Sequence, residues 1–229
     1  MNPGKALLAA AALLPLSACN FVVSEQPWFT AASGPQLKDG LWANLDSPNC
    51  AFDPASPITD WPKCASPMMI RGSVYSGPPS GEAAEAPGAL TDASKWQPIE
   101  HVLVEGDPQI DQIAIPLDMT KQAPGAAGRE MKPIHLYLAV RPTAKDAEGR
   151  ITEAQRWPVL CGPMPKKPRE KNGVPIFTSD RPYKGIRVKD EFCMAESAAA
   201  LRAAAVSSEV AAKEGGFTIV TSRWIRDGL

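Results

Sequence analysis

Hydrophobic and polar residues alternate most cleanly over Ile134–Arg141. Ile134, Leu136, Leu138 and Val140 fall on one side, and His135, Tyr137, Ala139 and Arg141 on the other. A pleated strand imposes that period of two, so the segment predicts a strand. Shorter patterns of the same kind occur at Leu41–Leu45, Pro67–Tyr75, His101–Glu105 and Gln109–Leu117, the last two flanking the turn Gly106-Asp107-Pro108. Strands are also expected at Arg156–Cys161, where Pro158 implies an edge or bulge, and at Val174–Thr178, Ile186–Val188 and Phe217–Ile225. Cys50–Lys63, Ser76–Asp92 and Gln122–Lys132 are rich in turn formers and read as loops.

One stretch carries helical signals. Ser197 is suited to N-cap a run of high-propensity alanines that ends at Lys213, and Gly215-Gly216 supplies a stop. So many alanines make a slim helix that can lie close to a sheet. With no internal repeat, the pattern predicts a single α+β domain over 37–229, mainly antiparallel β-sheet or partial barrel with one helix near the C-terminus.

Composition sharpens this in two respects. The 24 prolines are in excess, which favours short elements and many turns over long helices. The net charge of −1 gives no broad basic field, so nucleic acid is not an expected partner.

The N-terminus departs from the strand pattern. Lys5 precedes an apolar run, Ala6–Leu14, and Leu16-Ser17-Ala18-Cys19 follows. The run is too short to cross a bilayer core, which needs about 20 apolar residues. The order of charge, apolar run and small residues is that of an export signal. Leu16–Cys19 matches the lipobox of bacterial lipoproteins. That resemblance implies cleavage after residue 18 and a mature chain of 211 residues. It also implies fatty acylation (palmitate-type chains) of Cys19 and membrane attachment through the lipid. Two or three chains anchor stably, at about 0.8 kcal/mol per buried CH₂. Asn20, rather than Asp, follows the Cys, which by the sorting rule of enteric bacteria favours the outer membrane, periplasmic side, with the inner membrane as the alternative. Residues 19–36 lack period and read as a lipidated tether, with Trp28 and Phe29 either docking back onto the domain or sitting at the lipid surface; at full extension the 17 residues from Asn20 to Gln36 would reach about 55–60 Å.

With Cys19 assigned to lipid, Cys50, Cys64, Cys161 and Cys193 form an even set in an oxidising compartment. Proximity pairs Cys50 with Cys64 and Cys161 with Cys193, each bridge worth about 3–4 kcal/mol in the chain-entropy model. The close C-x-x-C spacing of a metal knuckle is absent, so structural disulfides are expected and neither a metal site nor a cofactor.

Candidate chemistry is sparse. His101 and His135 are the only side chains that are bases at neutral pH, and Glu100 and Glu105 flank His101 on opposite sides of its strand. G-x-S-x-G, H-E-x-x-H and a phosphate-binding glycine loop are all absent, so no catalytic residue is assigned. Lys166, Lys167, Arg169 and Lys171 make a basic run opposed only by Glu170, suited to anionic lipid headgroups or cell-wall phosphates or simply to solvent.

Gly40-Leu41-Trp42 is similar to the G-x-W element that opens the first strand of lipocalins, and a late helix followed by a strand also resembles bacterial members of that family. The resemblance implies a barrel that carries a small apolar ligand. Three readings therefore stand: a non-enzymatic lipoprotein that binds an envelope partner or has an envelope-structural role, a lipocalin-like carrier, and an envelope hydrolase with dispersed catalytic residues.

Overall fold

The structure, a computed structural model, describes residues 20–79, 83, 85–115, 134–171, 174–189, 192–214 and 218–229. Its strands are β1 (Val23–Ser24), β2 (Gly40–Leu45), β3 (Ala65–Arg71), β4 (Val74–Gly77), β5 (Gln97–Val104), β6 (Gln109–Ile115), β7 (Ile134–Lys145), β8 (Ile151–Pro158), β9 (Arg169–Lys171), β10 (Val174–Ile176), β11 (Ile186–Lys189), β12 (Phe192–Ala195) and β13 (Val220–Arg226). The helix is α1 (Ala198–Lys213), with Ser197 Oγ accepting from Ala200 N at its N-cap. The signal segment, Cys19 and the expected loop Gln122–Lys132 lie outside the described residues.

Eight strands close into an antiparallel barrel in the order β2-β3-β4-β5-β6-β7-β8-β13. The last strand closes it, pairing with β2 (Trp224 opposite Trp42) on one side and with β8 (Ser222 opposite Ala154) on the other. A closed ring has no free edge among its members. The expected single strand Pro67–Tyr75 is instead a hairpin, with Arg71 paired to Val74 across Gly72-Ser73. Gly72 has φ +56°, the left-handed conformation a two-residue turn demands. The expected strand Arg156–Cys161 begins earlier, at Ile151, and stops at Pro158, which has no N–H to continue the ladder.

Gly40 is needed where the ring closes. It has φ +131°, and a Cβ there would stand 2.4 Å from Arg226 O and 2.6 Å from Trp224 Nε1. Trp42 then seals the base of the interior, fully buried, with Nε1 donating to Lys38 O at 2.8 Å.

Both outer faces are covered as well. α1 and the β11–β12 hairpin bury Val104, Ile110, Tyr137, Ala139 and Trp157. The alanines of α1 let it approach closely enough for Trp157 Nε1 to donate to Ala205 O at 3.0 Å. The loop between β2 and β3 covers Leu41, Ala43 and Met69 with Ile58, Trp61 and Phe52. Each covering layer is stapled by one of the expected disulfides, Cys50–Cys64 (Cα–Cα 5.7 Å) and Cys161–Cys193 (5.4 Å).

The segment read as a tether is not free. Over its described residues it runs as a strap from the mouth of the barrel, where β8 ends, to the base, where β8 begins. Asn20 is 1% exposed; its Nδ2 donates to Gly162 O, its Oδ1 accepts from Ser179 N, and its O accepts from Cys161 N. β1 then pairs antiparallel with the start of β7, with Val23 opposite Leu136. Gln112 reaches out of β6 to accept from Trp28 N (2.7 Å) and Phe29 N (3.0 Å) and to donate to Phe29 O (2.8 Å). At the base, Ile151 N donates to Gln36 O and Lys38 N to Ile151 O. These partners lie far away in the sequence, so the segment carries no local period of its own.

Replacing Gln112 with Ala strands three backbone groups of the strap. An unsatisfied buried polar group costs about 1–3 kcal/mol, so Gln112→Ala should lower the melting temperature and accelerate deuterium exchange around Trp28 and Phe29. If the wild-type strap already exchanges like free peptide, it is not bound as described.

Candidate functional site in the barrel interior

Directly paired residues put their side chains on the same face, so the registers identify the lining. Ile70, Tyr75 and Ile99 form one row, His101, Ile113 and Leu136 a second, and Leu103, Asp111 and Leu138 a third. Val140, Arg156 and Val220 form a fourth. β4 and β8 stand four strands apart either way round the ring. Arg156 on β8 nevertheless donates through Nη2 to Tyr75 Oη on β4 at 3.0 Å. Contact between opposite walls is possible only through the interior.

Asp111 is the hub of this contact. Its Oδ2 accepts from Arg156 Nη2 and from Tyr75 Oη (2.6 Å), and its Oδ1 from His101 Nδ1 (2.9 Å). The His101 and Tyr75 rings stack at 3.7 Å, and His101 Nε2 faces Gly72 O at 3.3 Å. Asp111 is fully buried, and Tyr75, His101 and Arg156 nearly so. Burial pushes the Asp111 carboxyl up, but the His101 hydrogen bond and the charge of Arg156 outweigh it and hold the group below the usual carboxylate range. Burial raises the Tyr75 phenol well above its ordinary value, which keeps the hydroxyl a donor. One donor is left over: Arg156 Nε is buried without an acceptor among the described residues.

The cluster divides the interior. Towards the base the lining is Trp42, Ile70, Leu103, Val140 and Ala154, all buried. Towards the mouth it is Met68, Ile99, Ile115, Leu138 and Pro158, all half-buried. Met68 Sδ stands 3.8 Å from Arg156 Nη1, at the boundary between the two zones. The arrangement is a half-buried apolar rim over a buried charged cluster. A barrel of eight strands is just wide enough to be filled by side chains or to hold one small ligand.

The two histidines are not brought together. His101 points inward, while His135 lies on the outer face of β7 opposite Ser24 and Ala114. Burial lowers the His135 pKa, with a contact to the Ser24 backbone opposing it. The Ser24 hydroxyl is engaged by Gln26 O and Tyr137 Oη. Both ring nitrogens of His101 face acceptors, which leaves neither for a substrate. Among the described residues, no group of three or more His, Cys, Asp and Glu is placed to hold a metal ion. The basic run lies apart, in the insert that leaves the mouth after β8; Lys166, Lys167 and Arg169 are exposed, and the Lys171 side chain lies outside the described residues.

Sequence reasoning found His101 and missed its three partners. Asp111 shares parity with Ile113 and Ile115 in an expected strand, and a carboxylate on an apolar face was the available signal. Arg156 gives none, because it stands at the start of its expected strand, with no flanking alternation on its N-terminal side to set its face. Comparisons with protein-family models, curated proteins and solved structures find no match.

Removing one partner of a buried ion pair costs about 3–5 kcal/mol, whereas replacing both with apolar residues is often close to neutral. Asp111→Leu and Arg156→Met should each destabilise by that amount in urea unfolding, and the double variant by far less. Additive losses would show that the groups do not act as a pair. The lowered Asp111 pKa fixes a pH dependence too. Its contribution is full above the unfolded value, about 3.9, and is lost as pH falls through the lower folded value. Asp111→Asn should therefore flatten the acid limb of stability against pH.

Proposed function

We propose that this is a lipid-anchored envelope lipoprotein with a non-enzymatic binding role, and that the barrel mouth takes a small apolar molecule carrying one polar acceptor. The observation that carries this reading is the half-buried apolar rim of Met68, Ile99, Ile115 and Leu138 above Arg156, whose Nε lacks an acceptor among the described residues. Small-molecule sites are typically apolar walls with a few placed polar groups that fix orientation. The rim supplies the walls and the guanidinium the polar group. The engagement of both His101 nitrogens favours binding over proton transfer, which requires a base within reach of substrate. The lipobox at Leu16–Cys19 supports attachment through acylated Cys19, with Asn20 favouring the outer membrane.

Two measurements test the reading. Cys19→Ser should release the protein from membranes and abolish labelling with a fatty-acid probe; persistence of both would contradict the anchor. On the mature Cys19→Ser protein, Leu138→Trp should fill the rim and weaken binding of cis-parinaric acid, a fluorescent apolar chain with one carboxylate, about tenfold, equivalent to about 1.4 kcal/mol. Val206→Trp, on the outer face of α1 at a 47% exposed position, should leave binding unchanged. Equal binding by the wild type and Leu138→Trp, with melting temperatures preserved, would place the ligand elsewhere or nowhere.

A further inference from the structure

Asn20 is one residue from the lipid-bearing Cys19, and it is buried and held by Gly162, Ser179 and Cys161. Consecutive Cα atoms are about 3.8 Å apart, so the acyl chains leave the protein beside these residues, with no length of free chain between bilayer and domain. The surface next to this exit must therefore meet the headgroups.

That surface is basic. The insert between β8 and α1, residues 159–197, holds eight basic and five acidic residues, a net of +3 in a chain whose net charge is −1. Lys166, Lys167 and Arg169 are exposed and begin two residues after Met164, whose Sδ is 3.5 Å from Asn20 Nδ2. Ser179, whose N donates to Asn20 Oδ1, opens a surface depression also lined by Arg169 and Arg187, with Asp180 and Glu196 as its acids. The exit is also at the mouth end of the barrel, because Phe21 pairs with Leu160, just beyond the end of β8.

We propose that the domain sits directly on the membrane leaflet, mouth end towards the bilayer, with Lys166, Lys167 and Arg169 against anionic phospholipid headgroups. This rests on the reading of Cys19 as acylated. The acyl chains fix the distance, and the basic residues fix the orientation. It gives the barrel mouth a short path to apolar molecules in the leaflet. A basic residue close to an anionic membrane contributes about fivefold in partitioning, falling off with salt.

The test uses the acylated full-length mature protein in phosphatidylethanolamine vesicles containing about one third phosphatidylglycerol. An environment-sensitive fluorophore is placed at Pro168→Cys in the basic run or at Glu148→Cys in the turn at the barrel base, both exposed positions. A quencher on the lipid headgroups should quench the first strongly and the second little. In parallel, the soluble Cys19→Ser form should sediment with these vesicles but not with pure phosphatidylcholine, and Lys166→Ala/Lys167→Ala should weaken that binding about 25-fold. Vesicle-bound, acylated protein with equal quenching at both positions would overturn the seating alone, as would Cys19→Ser binding that is indifferent to phosphatidylglycerol. A wild-type protein bearing no fatty acid would overturn the anchor and the seating together. Anionic polymer from the cell wall that displaces the vesicles while quenching stays equal would assign the basic run to that polymer instead.

Discussion

Arg156 reaches from β8 across the interior to Asp111 on β6 and Tyr75 on β4, and these three strands are held at a distance set by that reach. A carboxylate at the centre of a barrel is costly unless its lone pairs are filled. Here Arg156, Tyr75 and His101 fill them. The same cluster separates two interiors with different character. Beneath it the side chains are closely packed round Trp42, so the base behaves as an ordinary core. Above it the rim side chains of Met68, Ile99, Ile115 and Leu138 are only half-buried.

The outer layers depend on that rigid ring. α1 lies flat on β7 and β8 because its buried positions are mostly alanine and serine, and Ser208 Oγ accepts from Leu160 N at 2.8 Å. The insert that carries α1 also receives Asn20, and the Cys161–Cys193 bridge ties the start of the insert to its β12 strand. Strap, insert and helix thus form one continuous cover over β5–β8. If Cys19 is the point of lipidation, membrane attachment acts on this cover and through it on the rim of the barrel.

Much of the fold was legible in the sequence, and the illegible parts share a cause. The alternation at Ile134–Arg141 marked β7 correctly, and the Ser197 cap with its alanine run marked α1, because both signals are local. Cysteine proximity anticipated the two bridges for the same reason. The strap looks like a tether because its order comes from Gln112, Leu103 and Ile151, far along the chain, and only the aromatic pair Trp28-Phe29 hints at docking. β3 and β4 look like one strand because Met69, Ile70, Val74 and Tyr75 offer apolar residues to both faces, whereas Ile70 and Tyr75, five apart, share the inner face only across the turn at Gly72. His101 stood out by residue type. Asp111, Tyr75 and Arg156 are neighbours only once eight strands have closed, and closure leaves no mark at any single position.

The Tyr75 hydroxyl offers the most direct test of the central cluster. Buried between Asp111 Oδ2 and Arg156 Nη2, its proton should exchange slowly enough with water to appear as a resolved signal in NMR spectra of the mature domain, with contacts to the His101 ring. Phe in place of Tyr75 should remove that signal. A wild-type Tyr75 hydroxyl in fast exchange, on a ring with no contact to His101, would contradict a barrel crossed by Arg156, Asp111 and Tyr75.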